Sequence, residues 1–340
     1  MRIERATERE SWDGYVQAAA PDSLRHNWVW RDIIQESFGH QPHYLAAMEG
    51  RSIRGVLPLV SIRSRLFGTS LVSIPFFSYG GIVADSDEAR DRLLAGAAEL
   101  GRELGARLIE LRQGDACPMS WRSACPKVTM EIDLPPAADE YWKRLSSGMR
   151  NKIRHACKHD LRAQWGGLEA VPIFYKIFAT NMRNLGTPVY PREFFENQVR
   201  HLPDRIRILS LWDRKTPVAA SFLVAHRRTL ELPWSASIPQ SRKKYSQVLM
   251  YWNFIERAIE EGFSKIDLGR CTPGSGTYEF KRHWNPVERR LHWYYWLAPG
   301  ASMPQLRTDN ARFRLAIEIW KRLPLAVANC LGPRLVRSIP

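Results

Sequence analysis

The residues from Lys265 to Trp284, K-I-D-L-G-R-C-T-P-G-S-G-T-Y-E-F-K-R-H-W, bring together more groups able to do chemistry than any other stretch of this chain. Lys281 follows Phe280 and stands three residues before Trp284. A cation among aromatic rings, partly removed from water, can hold a developing oxyanion because its field is screened less there. Asp267 and Arg270 stand at the end of a short apolar run, Phe263, Ile266 and Leu268, which reads as a buried strand. Open α/β sheets place ligands at such strand ends. Asp267 can serve as a general base for an incoming amine or as a salt-bridge partner of Arg270, and both readings stand. Pro273, Gly274, Ser275 and Gly276 must turn the chain, leaving amides able to face an anion or a carbonyl oxygen. The plainer reading is a surface loop whose aromatic residues plug the end of a sheet.

The elements that would position this stretch occur twice. In the first part Asp32 to Phe38 lies in a helix, His43 to Met48 and Ile53 to Ile62 form a hairpin around Glu49-Gly50, and Ser70 to Pro75 is a strand. Asp87 to Gly105 is an amphipathic helix with Leu93, Leu94, Ala97, Ala98, Leu100 and Leu104 on one face, and it feeds the strand Arg107 to Arg112. After Pro135-Pro136 the same order returns. Ile206 to Trp212, Val218 to His226 and Leu230 to Ser235 are strands, Val248 to Glu261 is a helix, and Lys265 to Leu268 is a strand. The junctions E-L-G-A-R-L-I-E-L-R (from Glu103) and E-E-G-F-S-K-I-D-L-G-R (from Glu260) match, which points to duplication of one α/β unit. The expected division is 1–136, 137–300 and a basic amphipathic tail over 301–340.

Ala138 to Gly166 reads as one long helix, with Met149, Ile153, Cys157 and Leu161 as a seam and Arg150, Arg154, Lys158 and Arg162 as a basic stripe. The stripe suits a solvated face or contact with phosphate. His155 and His159 have the i, i+4 spacing of two metal ligands, but the usual glutamate is missing between them, so no metal is expected. Ser235 and Ser237 lack a G-x-S-x-G elbow, which argues against a serine hydrolase. In the tail, Leu315, Ile317, Ile319, Trp320, Leu323, Leu325 and Val327 mix with Arg and Lys around Pro324. That pattern fits either an in-plane segment on an anionic inner-membrane surface or a tail docked on its own domain.

With 44% hydrophobic and 25% charged residues over 340 positions, the composition is that of a globular protein, and no apolar run is long enough to cross a bilayer. The N-terminus lacks the apolar region of an export signal, and five scattered cysteines without a C-x-x-C pair suit reduced thiols, so a cytoplasmic protein is expected. The net charge is +15. The segment from Lys143 to Trp165 carries +6 of it and that from Leu306 to Pro340 carries +5. Nucleic acid, a nucleotide-linked substrate and an anionic membrane are all admissible partners for such a chain.

Several motifs then converge. R-S-R-L-F-G (Arg63 to Gly68), P-F-F-S-Y-G-G-I (Pro75 to Ile82), N-M-R-N-L-G-T-P-V-Y-P (Asn181 to Pro191), W-S-A-S (Trp234 to Ser237), Tyr251-Trp252, D-L-G-R (Asp267 to Arg270) and G-S-G-T-Y-E-F-K (Gly274 to Lys281) are all present. Over roughly residues 5 to 298 the combination resembles the FemAB-related proteins associated with the PEP-CTERM and exosortase system of Gram-negative bacteria. The resemblance implies an α/β (α+β) fold of two tandem GNAT-like domains, mixed sheets flanked by helices. FemAB proteins proper transfer an amino acid from aminoacyl-tRNA to a cell-wall precursor, and a Phe-Lys pair in the loop after their last core strand matters for catalysis. Phe280 and Lys281 match that pair. An arginine followed by an aromatic residue binds nucleotide phosphates in the family, and Arg192 with Phe194 or Phe195 matches it loosely.

The segment R-K-K-Y-S-Q (Arg242 to Gln247) departs from the glycine-rich loop with which acetyl-CoA users hold pyrophosphate. The first repeat has Gly80-Gly81 near the equivalent place without a flanking arginine. The expectation is therefore one active second domain and one structural or substrate-positioning first domain. The activity expected is N-acyl or aminoacyl transfer to a saccharide-linked or nucleotide-linked acceptor in exopolysaccharide or envelope synthesis. The donor is aminoacyl-tRNA or acyl-CoA, and no tightly bound cofactor is expected. Lys281, Asp267 and Phe280 are the catalytic candidates. Tyr190, Arg192, Trp234, Tyr251, Arg270, Tyr278 and Trp284 are the substrate-binding candidates, and Arg150, Arg154 and Lys158 are the contacts to phosphate or tRNA. A monomer is expected. The contrasting reading is a non-catalytic binding module for an anionic polysaccharide precursor, RNA or a membrane surface.

Overall fold

In a computed structural model the chain is described over residues 1–65, 68–303 and 311–339. Leu66 and Phe67 of the R-S-R-L-F-G motif, residues 304–310 of the tail and Pro340 lie outside the described residues. The chain divides into two units: Met1–Pro126 with Arg290–Arg307 and Arg334–Pro340, and Lys127–Arg289 with Thr308–Pro333.

Unit 1 begins with β1 (Arg2–Arg5), α1 (Arg9–Ala19), α2 (Val29–Phe38), β2 (Gln41–Glu49), β3 (Ser52–Ser64) and β4 (Gly68–Ser73). It continues with β5 (Val83–Ala84), α3 (Asp87–Glu103) and β6 (Ala106–Gln113). Helix α3 starts where Ser86 accepts the Ala89 N–H at 3.2 Å, with Asp87 and Glu88 on the positive end of its dipole. Gly105, at φ 62°, turns the chain out of it. Its inner face, Leu93, Leu94, Ala97 and Leu100, packs on Leu45, Leu57, Leu59, Leu71, Ile109 and Leu111 of the sheet. Burial of each large side chain there is worth about 1.5–3 kcal/mol.

Unit 2 takes the latter part of β7 (Arg122–Asp133), then α4 (Ala138–Arg144), α5 (Ser147–Cys157), β8 (Leu161–Gly166), α6 (Val171–Leu185) and α7 (Arg192–His201). It continues through β9 (Ile206–Asp213), β10 (Thr216–His226), β11 (Thr229–Ser237), α8 (Ser246–Glu260), β12 (Lys265–Asp267) and α9 (Gly276–Arg282). From Arg290, β13 (Val287–Leu297) belongs to unit 1 and pairs antiparallel with β6. Helices α10 (Ala311–Arg322) and α11 (Leu325–Val336) close the chain.

The two units repeat one plan. In unit 1 the strand order is β1-β2-β3-β4-β6-β13, and in unit 2 it is β8-β9-β10-β11-β12-β7. In each, four antiparallel strands are followed by a parallel neighbour reached through a long helix, α3 between β4 and β6 and α8 between β11 and β12. An antiparallel strand then completes the row, β13 in one unit and β7 in the other. Even the helix pairs correspond, α1 and α2 after β1, α6 and α7 after β8.

Two expectations are corrected. Residues 138–166 are not one helix. Leu145 is extended, Ser146 caps α5 by accepting the Met149 N–H, and residues from Leu161 form a strand on β9. The buried seam of α5 is accordingly Met149, Ile153 and Ala156, Cys157 is exposed, and Arg162 leaves the stripe for β8. The units also do not part at residue 136, because residues 131–133 of β7 pair with β12 and so belong to unit 2. Nor is 301–340 a separate body, since its residues are shared between the units.

Candidate active site

Strand β12 is only three residues long, yet it is paired on both edges, parallel to β11 and antiparallel to β7. Asp267 at its end is buried, and its Oδ1 accepts the Thr129 hydroxyl at 2.5 Å and the Gly269 N–H at 2.8 Å. The carboxylate thus shapes the turn that follows. Gly269 lies at φ 73°, and a Cβ there would stand 2.7 Å from the Leu232 carbonyl oxygen of β11, so only glycine fits. Beyond it, Cys271 bridges to Val128, and Ser275 starts α9 by accepting the Tyr278 N–H at 3.2 Å. Phe280 and Lys281 therefore lie on a helix rather than in a loop.

Helix α9 turns Lys281 inward. The side chain is buried, and its ammonium donates to the carbonyl oxygens of Gly269 at 2.7 Å and Arg270 at 3.2 Å. An ammonium has three hydrogens, so two are spent on the turn, and the third has no acceptor among the described residues. Burial pushes its pKa down from 10.5 to about 8, opposed by nearby Cys271 and Asp267 and helped by Arg270. Lys127 reaches the Thr272 hydroxyl at 2.6 Å, and its pKa is lowered by burial and by the Arg270 charge. Lys127, Arg270 and Lys281 thus make this end of β12 electropositive.

The aromatic candidates divide by burial. Phe280 is half-buried with its ring edge-on to Tyr251 at 4.9 Å, and Tyr278 is half-buried with its hydroxyl on Glu288 at 2.8 Å. Tyr251 and Trp284 stack on each other at 5.5 Å inside the core, 1% and 0% exposed. Their assignment to a substrate surface is corrected. Tyr141 donates to the Trp284 carbonyl at 2.6 Å, and the Tyr251 hydroxyl meets Ser235 at 3.4 Å, with burial lifting its pKa to about 12. These rings set the floor under α9.

The remaining candidates lie elsewhere in unit 2. Trp234 precedes Ser235 on β11 and so faces the other side of the sheet, where its ring meets Phe194, Phe195, Phe222 and Tyr190. Arg192 is exposed and pairs with Glu196 one turn along α7 at 2.9 Å. Arg154 on α5 bonds Asn151 at 3.1 Å and lies 5.4 Å from the Trp142 ring, Arg150 donates to the Lys143 carbonyl, and Lys158 is exposed. His155 and His159 meet edge-on at 5.0 Å, and no cluster of three or more His, Cys, Asp or Glu placed to hold a metal ion occurs among the described residues. At the start of α8, Tyr245 takes the left-handed conformation at φ 51°, and Ser241 and Ser246 share a 2.6 Å hydrogen bond. A cavity of about 690 Å³ opens beside this segment, lined by Asp213, Arg214, Lys215 and Lys244 among others, none of them a sequence candidate.

The sequence reading missed Thr129 and Lys127. The alternation V-T-M-E-I-D from Val128 to Asp133 marks the strand that carries them, with Val128, Met130 and Ile132 on the core side.

Comparison with known proteins supplies the remaining constraint. Residues 143–282 match the family described as "Acetyltransferase (GNAT) domain". No protein of curated function matches the sequence. Among solved structures, FemX is similar with a TM-score of 0.65 at 14% identity, over 88% of this chain and 98% of that one. The C-terminal domain of a putative lysylphosphatidylglycerol synthetase from Agrobacterium fabrum scores 0.56 at 13% identity, over 85% and 94%. A tandem GNAT protein from the clavulanic acid biosynthesis pathway scores 0.55 at 11% identity, over 89% and 99%. At these identities the likeness is one of fold, a mixed α/β fold of tandem GNAT type.

Proposed function

We propose that this chain, an acyltransferase whose residues 143–282 carry a GNAT-type domain, transfers an acyl or aminoacyl group to an amine or hydroxyl of a phosphate-bearing, saccharide-linked envelope precursor. One observation carries the reading: a buried ammonium with a hydrogen to spare at an electropositive strand end. The acceptor's lone pair attacks the donor carbonyl, a C–N or C–O bond forms, and the carbonyl oxygen takes up negative charge that Lys281 meets. Collapse of that intermediate breaks the bond to the donor's leaving group, which departs with the electron pair, while the acceptor's proton passes to solvent. Lys127 and Arg270 attract the acceptor's phosphate, and Tyr278 and Phe280 flank it. Asp267 acts as a positioning residue, holding the turn through Gly269 and Thr129.

Aminoacyl-tRNA is the donor this reading favours. Tyr245 stands where a CoA cradle has glycine, and Arg150, Arg154 and Lys158 offer cations on α5. The similarity in fold to FemX and to a protein named for lysylphosphatidylglycerol synthesis fits aminoacyl transfer. The test supplies radiolabelled aminoacyl-tRNA or acetyl-CoA with a nucleotide-sugar and lipid-linked precursor fraction and follows label by mass spectrometry. Transfer by the wild type that is largely lost in Lys281→Met supports the reading; transfer that Lys281→Met leaves intact rejects it.

A further inference from the structure

The last helix turns its smallest side chains inward. In α11, Ala328, Gly332 and, at its end, Val336 are buried, and a Cβ on Gly332 would stand 2.9 Å from the Val189 backbone nitrogen, so most of the buried side is small. The large side chains Val327, Leu331 and Leu335, spaced one turn apart, point to solvent at 40%, 39% and 46% exposure. Helix α10 is pinned too: Arg183 donates to the carbonyls of Lys321 and Leu323 at 3.3 Å, and Ile317 lies on Gly186 so closely that a Cβ there would come within 2.4 Å. That pinning turns Leu315 and Ile319 outward, 62% and 54% exposed. Helices that leave this many large apolar side chains in water have a second surface to satisfy.

We infer that this face lies on an anionic lipid surface. Residues 311–339 carry Arg312, Arg314, Lys321, Arg322, Arg334 and Arg337 against Glu318 alone. Exposed Arg314 and Arg322 flank Leu315 and Ile319, and exposed Arg334 adjoins Leu335. Apolar side chains edged by arginine match the boundary between acyl chains and anionic headgroups. The same charge repels a second copy of the face, so it does not suit self-association. Among the described residues no helix is long and apolar enough to cross a membrane, so these helices would lie in its plane.

The test is co-sedimentation of the full chain with vesicles of phosphatidylcholine alone and of phosphatidylcholine mixed with phosphatidylglycerol. Binding should require phosphatidylglycerol and weaken as salt is added. Leu315→Ser with Leu331→Ser should abolish it, and because both positions are exposed the circular dichroism melt should be unchanged. Arg314→Gln with Arg322→Gln keeps the apolar side chains and should weaken binding more than tenfold, at about fivefold per charge. Failure of the wild type to bind phosphatidylglycerol vesicles overturns the inference, as does binding indifferent to either pair. A wild-type dimer in sedimentation velocity that Leu331→Ser dissolves assigns the face to a second copy and overturns it as well. None of these readouts depends on acyl transfer, so they stand apart from the proposed activity.

Discussion

The ends of β6 and β12 are the same place in two copies of one unit, and they have been put to different uses. Aligned on their left-handed glycines, Gly105 and Gly262, Glu110 corresponds to Asp267 and Arg112 to Gly269. In unit 1 the carboxylate meets a side chain two residues on: Arg112 and Glu110 form a buried pair at 2.7 Å. The guanidinium also donates to the Phe77 carbonyl and lies 4.8 Å from the Trp293 ring, while the Arg112 carbonyl accepts from Gly80. That network holds a loop in which Ile74 and Phe76 sit at φ 48° and 75°, conformations that cost side-chain-bearing residues about 1–3 kcal/mol each. In unit 2 the residue two along offers the carboxylate a backbone N–H instead of a side chain, and the cation arrives from outside the strand, on α9. The first arrangement pairs its two charges with each other. The second leaves a hydrogen of the ammonium available.

Breaking each copy should therefore cost different things. Arg112→Met strands Glu110 as a buried charge and releases the strained loop, and should lower stability by about 3–5 kcal/mol, read as a fall in the thermal midpoint. Lys281→Met keeps volume in the other copy and should slow acyl transfer about 10²–10³-fold, or about 3–4 kcal/mol in the barrier, at a smaller cost in stability. Gly269→Ala forces a Cβ onto the Leu232 carbonyl in a left-handed conformation; a loss of about 1–3 kcal/mol in denaturant unfolding is expected, with activity falling alongside. Asp267→Ala should cost about 1–3 kcal/mol, and Asp267→Asn, which can still accept both hydrogen bonds, should cost less. If Asp267 were instead the general base, the Asn variant would be as inactive as the Ala variant.

The pH dependence separates the roles within Lys281 itself. Its folded pKa is about 8 against 10.5 in an unfolded chain, so between those values the unfolded state binds more protons. This group's contribution to stability rises with pH across that window. In the role proposed for Lys281 the charge that would meet an oxyanion is lost above about pH 8, so acyl transfer should fall as stability rises.

Much of this was legible in the sequence because it was local. The hairpin around Gly50, helix α3 with its Ser86 cap and the matching junctions before β6 and β12 all follow from period, cap and turn residues. The helix expected over 138–166 failed because the i+4 recurrence of Met149, Ile153, Cys157 and Leu161 outweighed a Ser146 cap that was present to be read. Strand β7 and the return of β13 to unit 1 escaped because pairing partners far apart leave no local period. In the site, Lys281 and Asp267 stood out by type and spacing, whereas Thr129, 138 residues from the carboxylate it bonds, did not. Tyr251 and Trp284 were misplaced because aromatic residues serve a core and a binding surface alike.

On the proposed reading the second copy alone does the chemistry, through the ammonium of Lys281. Its most direct test is the pH profile of single-turnover acyl transfer for the wild type and for Lys281→Arg, which keeps a cation that does not titrate in this range. The wild-type rate should fall above about pH 8, and the residual Lys281→Arg rate should show no such fall. The same alkaline limb in both proteins, at undiminished rate, would contradict it.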